Sequence, residues 1–304
     1  MTSHDYSSTT VNRHQDAHYD SEEKLRYELA KTVTLTPELY ERLFLNPKTR
    51  VSGDLRSRFG NPTPVGVLGF SIAVMPLACA FSTSTIISTP SRLASMCLTT
   101  TVVGWQGSGG LSVATGTVNI FFGGMLLILA GIGEFLLGNT FPMMVFLGYG
   151  AHFFAYATTF VPAFNSIGYF NPDGSGTGSP GTSNQTSVFL ASYAFYLIVM
   201  CILSFIFLLG SLRVNVVFVL IFMFATIGFG LGAGAFFNLS NGNAVVGTRL
   251  ATGTGACFFA ASVLGFYFLL ALIIAIMELP VPDLPVCDLS MVIKARPRGV
   301  IKEE

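Results

Sequence analysis

Charge is nearly missing from the long middle of the chain. The 216 residues from Pro62 to Met277 carry only Arg92, Glu134, Asp173, Arg213 and Arg249. Over all 304 residues the charged share is 11%, against about 25% in ordinary soluble domains. Five charges do not cover the surface of a water-soluble body of that size. A soluble enzyme, a nucleic-acid binder and a disordered chain are therefore excluded, and mean hydropathy is +0.63. An integral membrane protein remains. Cysteine is sparse and without pattern: Cys79, Cys97, Cys201, Cys257 and Cys287 form no CxxC pair. Three of them lie inside apolar runs, where a small polarizable side chain simply packs, so neither a disulfide framework nor a metal site is expected. Histidine outside the first twenty residues is limited to His152. No Ser/His/Asp grouping, HExxH, P-loop or strand-to-helix GxGxxG is present, so the expectation is a protein that is not an enzyme and uses no cofactor. The first sixty residues are polar, so no cleavable signal peptide is expected and the first span acts as the signal.

What the chain does have is long, uninterrupted apolar runs. A membrane β-barrel would instead alternate apolar and polar residues in short strands. Continuous runs call for helices, which satisfy their own backbone in lipid. The reading is an all-α integral membrane protein, a bundle of six transmembrane helices with polar tails. The spans are expected at 64–87, 115–137, 143–162, 188–209, 214–237 and 256–277, each near or above the roughly 20 residues a bilayer core requires. Residues 1–59 form a polar tail with a short amphipathic helix near 37–45, opened by Thr36-Pro37-Glu38 and closed by Asn46-Pro47. Residues 60–279 form the six-span body and 280–304 a second polar tail. Loops are expected at 165–187 and 238–255.

Lys and Arg set the orientation. Lys48, Arg50, Arg56 and Arg58 precede the first span, and Lys294, Arg296, Arg298 and Lys302 follow the last. Only Arg92 and Arg249 fall on the opposite side. Both termini are therefore expected in the cytoplasm, and an even number of spans agrees.

A few polar residues stand out. Asn61-Pro62-Thr63-Pro64-Val65-Gly66 opens the first span. Asn61 caps well, and proline in a first turn loses no helical hydrogen bond. The motif reads first as a stiff helix start, and otherwise as a polar entrance, at the positive end of a helix, that attracts anions. Glu134 is the acid inside a span, which makes it a candidate for gating or proton handling. A structural pair or cap is the other reading, with Asn139 close behind it. His152, in the third span, reads either as hydrogen-bonded packing or as a proton relay. Glycine is abundant, with Gly123, Gly124, Gly131 and Gly133 in the second span and Gly228, Gly230, Gly232 and Gly234 in the fifth. Such residues let helix backbones approach closely.

The string NPTPVG at 61–66 resembles the NPAPLG signature of the acetate uptake transporter family, also called the acetate/succinate–proton symporter family. FFGGMLLILAGIGEFLLGNTF at 121–141 resembles that family's second span, and SLRVN at 211–215 resembles the loop before the fifth span of fungal members. The similarity covers about residues 59–280. It implies six spans per subunit, a homohexamer with one pathway in each subunit, and uptake of acetate and related short carboxylates, succinate in some members, linked to protons. It implies a plasma-membrane location. It also implies an apolar constriction of a Phe from the first span, a Tyr from the third and a Leu from the fifth. By position these are Phe70, Tyr149 and either Phe224 or Ala225. Leu127 stands where the family often has Gln or Asn, and His152 where an aromatic is common. At about 1.5 Å per residue, Phe70 and Tyr149 both sit about 9 Å into their spans, at one level. The alternative function is a transport-inactive acetate sensor of the same fold. Nucleic acid is not expected as a partner; a small carboxylate, the proton and lipid are.

The topology has a direct check. A cysteine replacing Gly176 should label from outside intact cells, and one replacing Asp20 only after permeabilisation. Outside labelling at position 20 reverses the orientation.

Overall fold

The computed structural model describes residues 60–81, 108, 110–161, 164, 166, 183–287 and 289. The expected helix at 37–45 and most of the 165–187 loop lie outside the described residues. Among the described residues there are six long helical segments: α1 (Thr63–Phe81), α2 (Gly110–Leu136), α3 (Thr140–Thr159), α4 (Ser183–Ser211), α5 (Val216–Ser240) and α6 (Ala244–Ile276). No β-strand occurs among the described residues. All but α3 are long and apolar enough to cross a membrane. α3 has 20 residues but devotes positions to Tyr149, His152, Tyr156, Thr158 and Thr159, whose polar atoms need partners inside the bundle.

Local chemistry explains the helix ends. Asn61 Oδ1 accepts from the Thr63 backbone N–H at 3.0 Å, and Pro62 and Pro64 occupy the turn where no helical donor is lost. Asn215 caps α5, its Oδ1 accepting from the Phe218 N–H at 2.8 Å. α2 is irregular. It opens as a 3-10 turn over Gly110–Thr115, passes through Gly116–Val118, widens to a π-helix over Asn119–Leu126 and becomes α-helical over Leu127–Leu136.

Two boundaries differ from the sequence reading. α6 starts at Ala244 rather than at 256, so the expected 238–255 loop shrinks to the turn around Gly242. The glycines and threonines of this stretch look loop-like. In the structure Thr252 and Thr254 hydroxyls donate to the Thr248 and Leu250 carbonyls, and Gly247 lies against Leu239 of α5. The second difference is the C-terminal tail expected from 280. Its first part belongs to the bundle: the Val216 N–H donates to the Cys287 carbonyl at 3.1 Å, Tyr267 Oη donates to the Pro285 carbonyl at 2.8 Å, and Val286 is buried.

Around the bundle, α4 packs on α5, α5 on α6, α6 on α1, α1 on α2, and α2 on α3. Side chains close the circle between α3 and α4. Tyr149 Oη meets Ser204 Oγ at 2.8 Å, and His152 Nδ1 meets Tyr196 Oη at 2.7 Å. Elsewhere glycines let the helices close up. A Cβ added at Gly66 would lie 2.6 Å from the Phe146 ring, and one at Gly123 2.5 Å from the Phe153 ring. Large apolar side chains face outward on α2 (Phe121, Leu129, Phe135) and α4 (Phe195, Ile202, Phe205), as suits a multi-pass membrane protein.

Close packing predicts an asymmetry between glycines. A Cβ at Gly69 would lie 2.8 Å from Leu127 Cδ1 and run into the Phe122 carbonyl oxygen, whereas one at Gly116 meets nothing within 4 Å. Gly69→Ala should lower the thermal midpoint in detergent, at a cost of about 1–3 kcal/mol. Gly116→Ala should leave it unchanged or slightly raised.

Candidate functional site

At mid-height the bundle is filled by aromatic rings. Phe70 of α1 and Tyr149 of α3, paired by the sequence reading, meet with centroids 6.3 Å apart. Tyr149 stacks on Phe222 of α5 at 6.2 Å, 8° from parallel. Phe207 of α4 completes the group, 5.8 Å from Tyr149 and 5.9 Å from Phe222. The hydroxyl of Tyr149 donates to Ser204 Oγ, because Ser204 itself donates to the Met200 carbonyl at 2.7 Å. That bond leaves the ring as the part that faces its neighbours.

The α5 member of the group is Phe222 rather than the expected Phe224 or Ala225. Phe224 is half-buried and outside the group. Two residues on a helix rotate a side chain by about 200°, so Phe224 faces away from the side occupied by Phe222. Ala225 is buried on the same face as Phe222 but presents only a methyl group. A signal for Phe222 was present, since it lies four residues after Phe218, on which it stacks at 5.9 Å.

Two cavities flank the rings. One of about 350 Å³ lies toward the end of the bundle bearing Asn61, between Val67, Phe70, Leu127, Val145, Tyr149 and Phe222. The other, about 440 Å³, lies toward the opposite end, with Leu77, His152, Tyr193, Phe229, Phe236 and Phe258 in its wall. The first has no polar side chain in its wall except Tyr149. An apolar wall of this kind accepts a neutral group and is costly for a bare charge.

The entrance motif and Glu134 form one junction. Thr63 Oγ1 donates to Glu134 Oε1, and Asn139 Nδ2 donates to Glu134 Oε2 at 2.5 Å. The Asn139 backbone N–H also donates to the Glu134 carbonyl, at 2.9 Å. Glu134 is fully buried, with Thr63 and Asn139 nearly so. Pro62 sits on Gly133, where an added Cβ would be 2.7 Å from the proline Cβ, and Gly66 receives the Phe146 ring. Pro64 is half-buried in the first turn. Glu134 therefore fastens the start of α1 to the α2–α3 turn, and it lines neither cavity. His152 stands apart from that junction, in the wall of the far cavity. Tyr193 and Tyr196, which share that neighbourhood, were not singled out in the sequence because they look like ordinary aromatics of an apolar span.

The family pattern described as GPR1/FUN34/yaaH matches residues 92–286. Protein alcS of Aspergillus fumigatus is 43% identical over 260 residues, 85% of this chain and 86% of that one. The chain belongs to the GPR1/FUN34/yaaH family. Acetate permease A of Emericella nidulans is 27% identical over 172 residues, 57% of this chain and 48% of the permease. Among solved structures, the bacterial acetate channel SatP has the same fold, with a TM-score of 0.50 at 19% identity, over 75% of this chain and 99% of that one. The resemblance read from NPTPVG and the Glu134 segment is thus confirmed at the level of family and fold.

The junction makes a measurable prediction. A double-mutant cycle with Thr63→Ala and Glu134→Ala should show a coupling of about 1–3 kcal/mol in unfolding stability, as for a buried hydrogen bond to an acid. Strict additivity would mean that the two side chains do not support each other.

Proposed function

We propose that the chain carries acetate and related short monocarboxylic acids across the plasma membrane, by a pathway within each subunit. The observation that carries this reading is the partition of Phe70, Tyr149, Phe207 and Phe222 between two largely apolar cavities. A narrow apolar constriction of this kind passes a neutral acid far more readily than a hydrated ion. Family membership and the names of its relatives, an acetate permease and an acetate channel, support the same substrate class. In this account both termini face the cytoplasm, and the Lys and Arg distribution supports that orientation. Subunits assemble as a homohexamer through part of the outward apolar surface. Glu134 and Asn139 serve assembly of the entrance, and the reaction is passage, not catalysis.

Purified protein in liposomes, supplied with labelled acetate, tests the proposal. Uptake above protein-free liposomes is expected, and none would refute it. Phe70→Ala should widen the partition, so that butyrate uptake rises relative to acetate with hexamer assembly intact. An unchanged acid-size profile in a well-assembled variant removes Phe70 from the gate.

The reading also has a pH sign. A simple carboxyl titrates at about 4, so each unit fall in outside pH above that value raises the neutral acid about tenfold. Uptake at constant total acetate should therefore climb from pH 7 to pH 5 after subtraction of passive diffusion. A flat profile would argue against proton linkage.

A further inference from the structure

We infer that the segment 284–287 after α6 is a strap that positions the ring group: it caps the first turn of α5, and its release frees Phe222. The inference rests on the transport reading for what the ring group does. It goes beyond that reading in naming the element that holds the group closed.

The chain leaves α6 at Ile276 and turns at Glu278, whose φ is +48°. Pro280, Pro282 and Pro285 follow. Each fixes its own φ and has no N–H to satisfy, so this stretch loses little conformational freedom when it docks. Val281, Pro282 and Asp283 are exposed. Val286 then turns inward and is 1% exposed, in the same core as Val217 and Phe218 of α5.

Hydrogen bonds hold the strap from two helices. Tyr267 Oη of α6 donates to the Pro285 carbonyl at 2.8 Å. The Cys287 carbonyl accepts from the Val216 N–H at 3.1 Å, and the Leu289 N–H donates to the Val214 carbonyl at 3.3 Å. Together these two bonds make one step of antiparallel pairing. Val216 is the first residue of α5, where an N–H has no partner within its own helix. The strap therefore extends the cap that Asn215 supplies to the Phe218 N–H. Cys287 has φ +52°, a left-handed conformation that a residue with a Cβ rarely adopts unless its surroundings impose it. Here the bonds on either side of it do so.

From that cap the ring group is two contacts away. Phe218, in the first turn of α5, stacks on Phe222 at 5.9 Å, 12° from parallel. Phe222 is the α5 member of the ring group. Phe218 also meets Phe268 of α6 at 4.9 Å, and Phe268 follows directly on Tyr267, which holds the strap. The strap thus grips α5 and α6 beside the ring contact that backs Phe222. A few hydrogen bonds and the Val286 side chain hold it in place. Segments held so lightly belong to the low-stability end of a fold and open before the rest.

Two variants of the full-length protein release the strap. Tyr267→Phe removes one hydrogen bond and keeps the ring, and Val286→Asp sets a charge in the apolar core. Their effect is read first in detergent, with the native cysteines replaced by serine and a single cysteine at position 222. Its reaction with a thiol reagent should quicken roughly fivefold with Tyr267→Phe, the equivalent of one net hydrogen bond, and further with Val286→Asp. A single cysteine at Ala251 instead, buried toward the far end of α6, should react at an unchanged rate. In liposomes, with Phe222 in place, both variants should take up more butyrate relative to acetate. An unchanged rate at position 222 in both variants overturns the strap. So does an equal rise at position 251, which means that the whole bundle has loosened. A faster rate at 222 with an unchanged acid-size profile overturns the strap's hold on the ring group. A faster rate at 222 in a protein that takes up no acetate supports the strap and refutes the transport reading instead.

Discussion

The structure depends on seating an aromatic ring of one helix on a glycine of the next. Phe146 lies on Gly66, Phe153 on Gly123, Phe154 on Gly124, Phe141 on Gly210 and Phe258 on Gly228. In lipid there is no water to drive helices together, so dispersion at close approach must do it. Each seat brings two backbones near and fixes a ring. The same arrangement orients the partition, since Phe70 lies over Gly265 of α6, within 3.4 Å of where a Cβ would be, and Phe207 over Gly148 of α3. The 32 glycines and 28 phenylalanines are therefore two halves of one packing scheme, and the ring group is the place where side chains from four helices converge.

Polar groups inside such a bundle must be satisfied by one another. Most are. Ser262 donates to the Ser71 carbonyl at 2.9 Å and joins α6 to α1. Ser187 and Ser240 clasp the far ends of α4 and α5 through reciprocal side-chain to carbonyl bonds of 2.6 and 2.8 Å. Glu134 gathers Thr63 and Asn139 at the near end. Against that background Asn119 stands out: fully buried in the π-helical turn of α2, it has no partner for its amide among the described residues, and it lines neither cavity.

The membrane class, the six spans and the meeting of Phe70 with Tyr149 were legible in the sequence. Apolar length and a shared level along two spans are one-dimensional properties, and sequence reports them well. The start of α6 was hidden because Thr252 and Thr254 satisfy themselves on their own helix, which a composition of glycine and threonine does not reveal. Phe222 was missed because facing is an angular property, and an offset of two residues reverses it. The role of Glu134 was left between a gate and a structural pair. Only the fold brings Thr63, seventy-one residues away, against it. The burial of Val286 was equally invisible, since it depends on where α5 begins.

The central claim is that substrate passes the ring partition. The most direct test places a cysteine at Phe222 in a chain whose five native cysteines are replaced by serine, and follows acetate uptake in liposomes during reaction with a small thiol reagent. The account predicts that modification at position 222 stops uptake and that acetate slows the modification. Complete modification with uptake unchanged would contradict it.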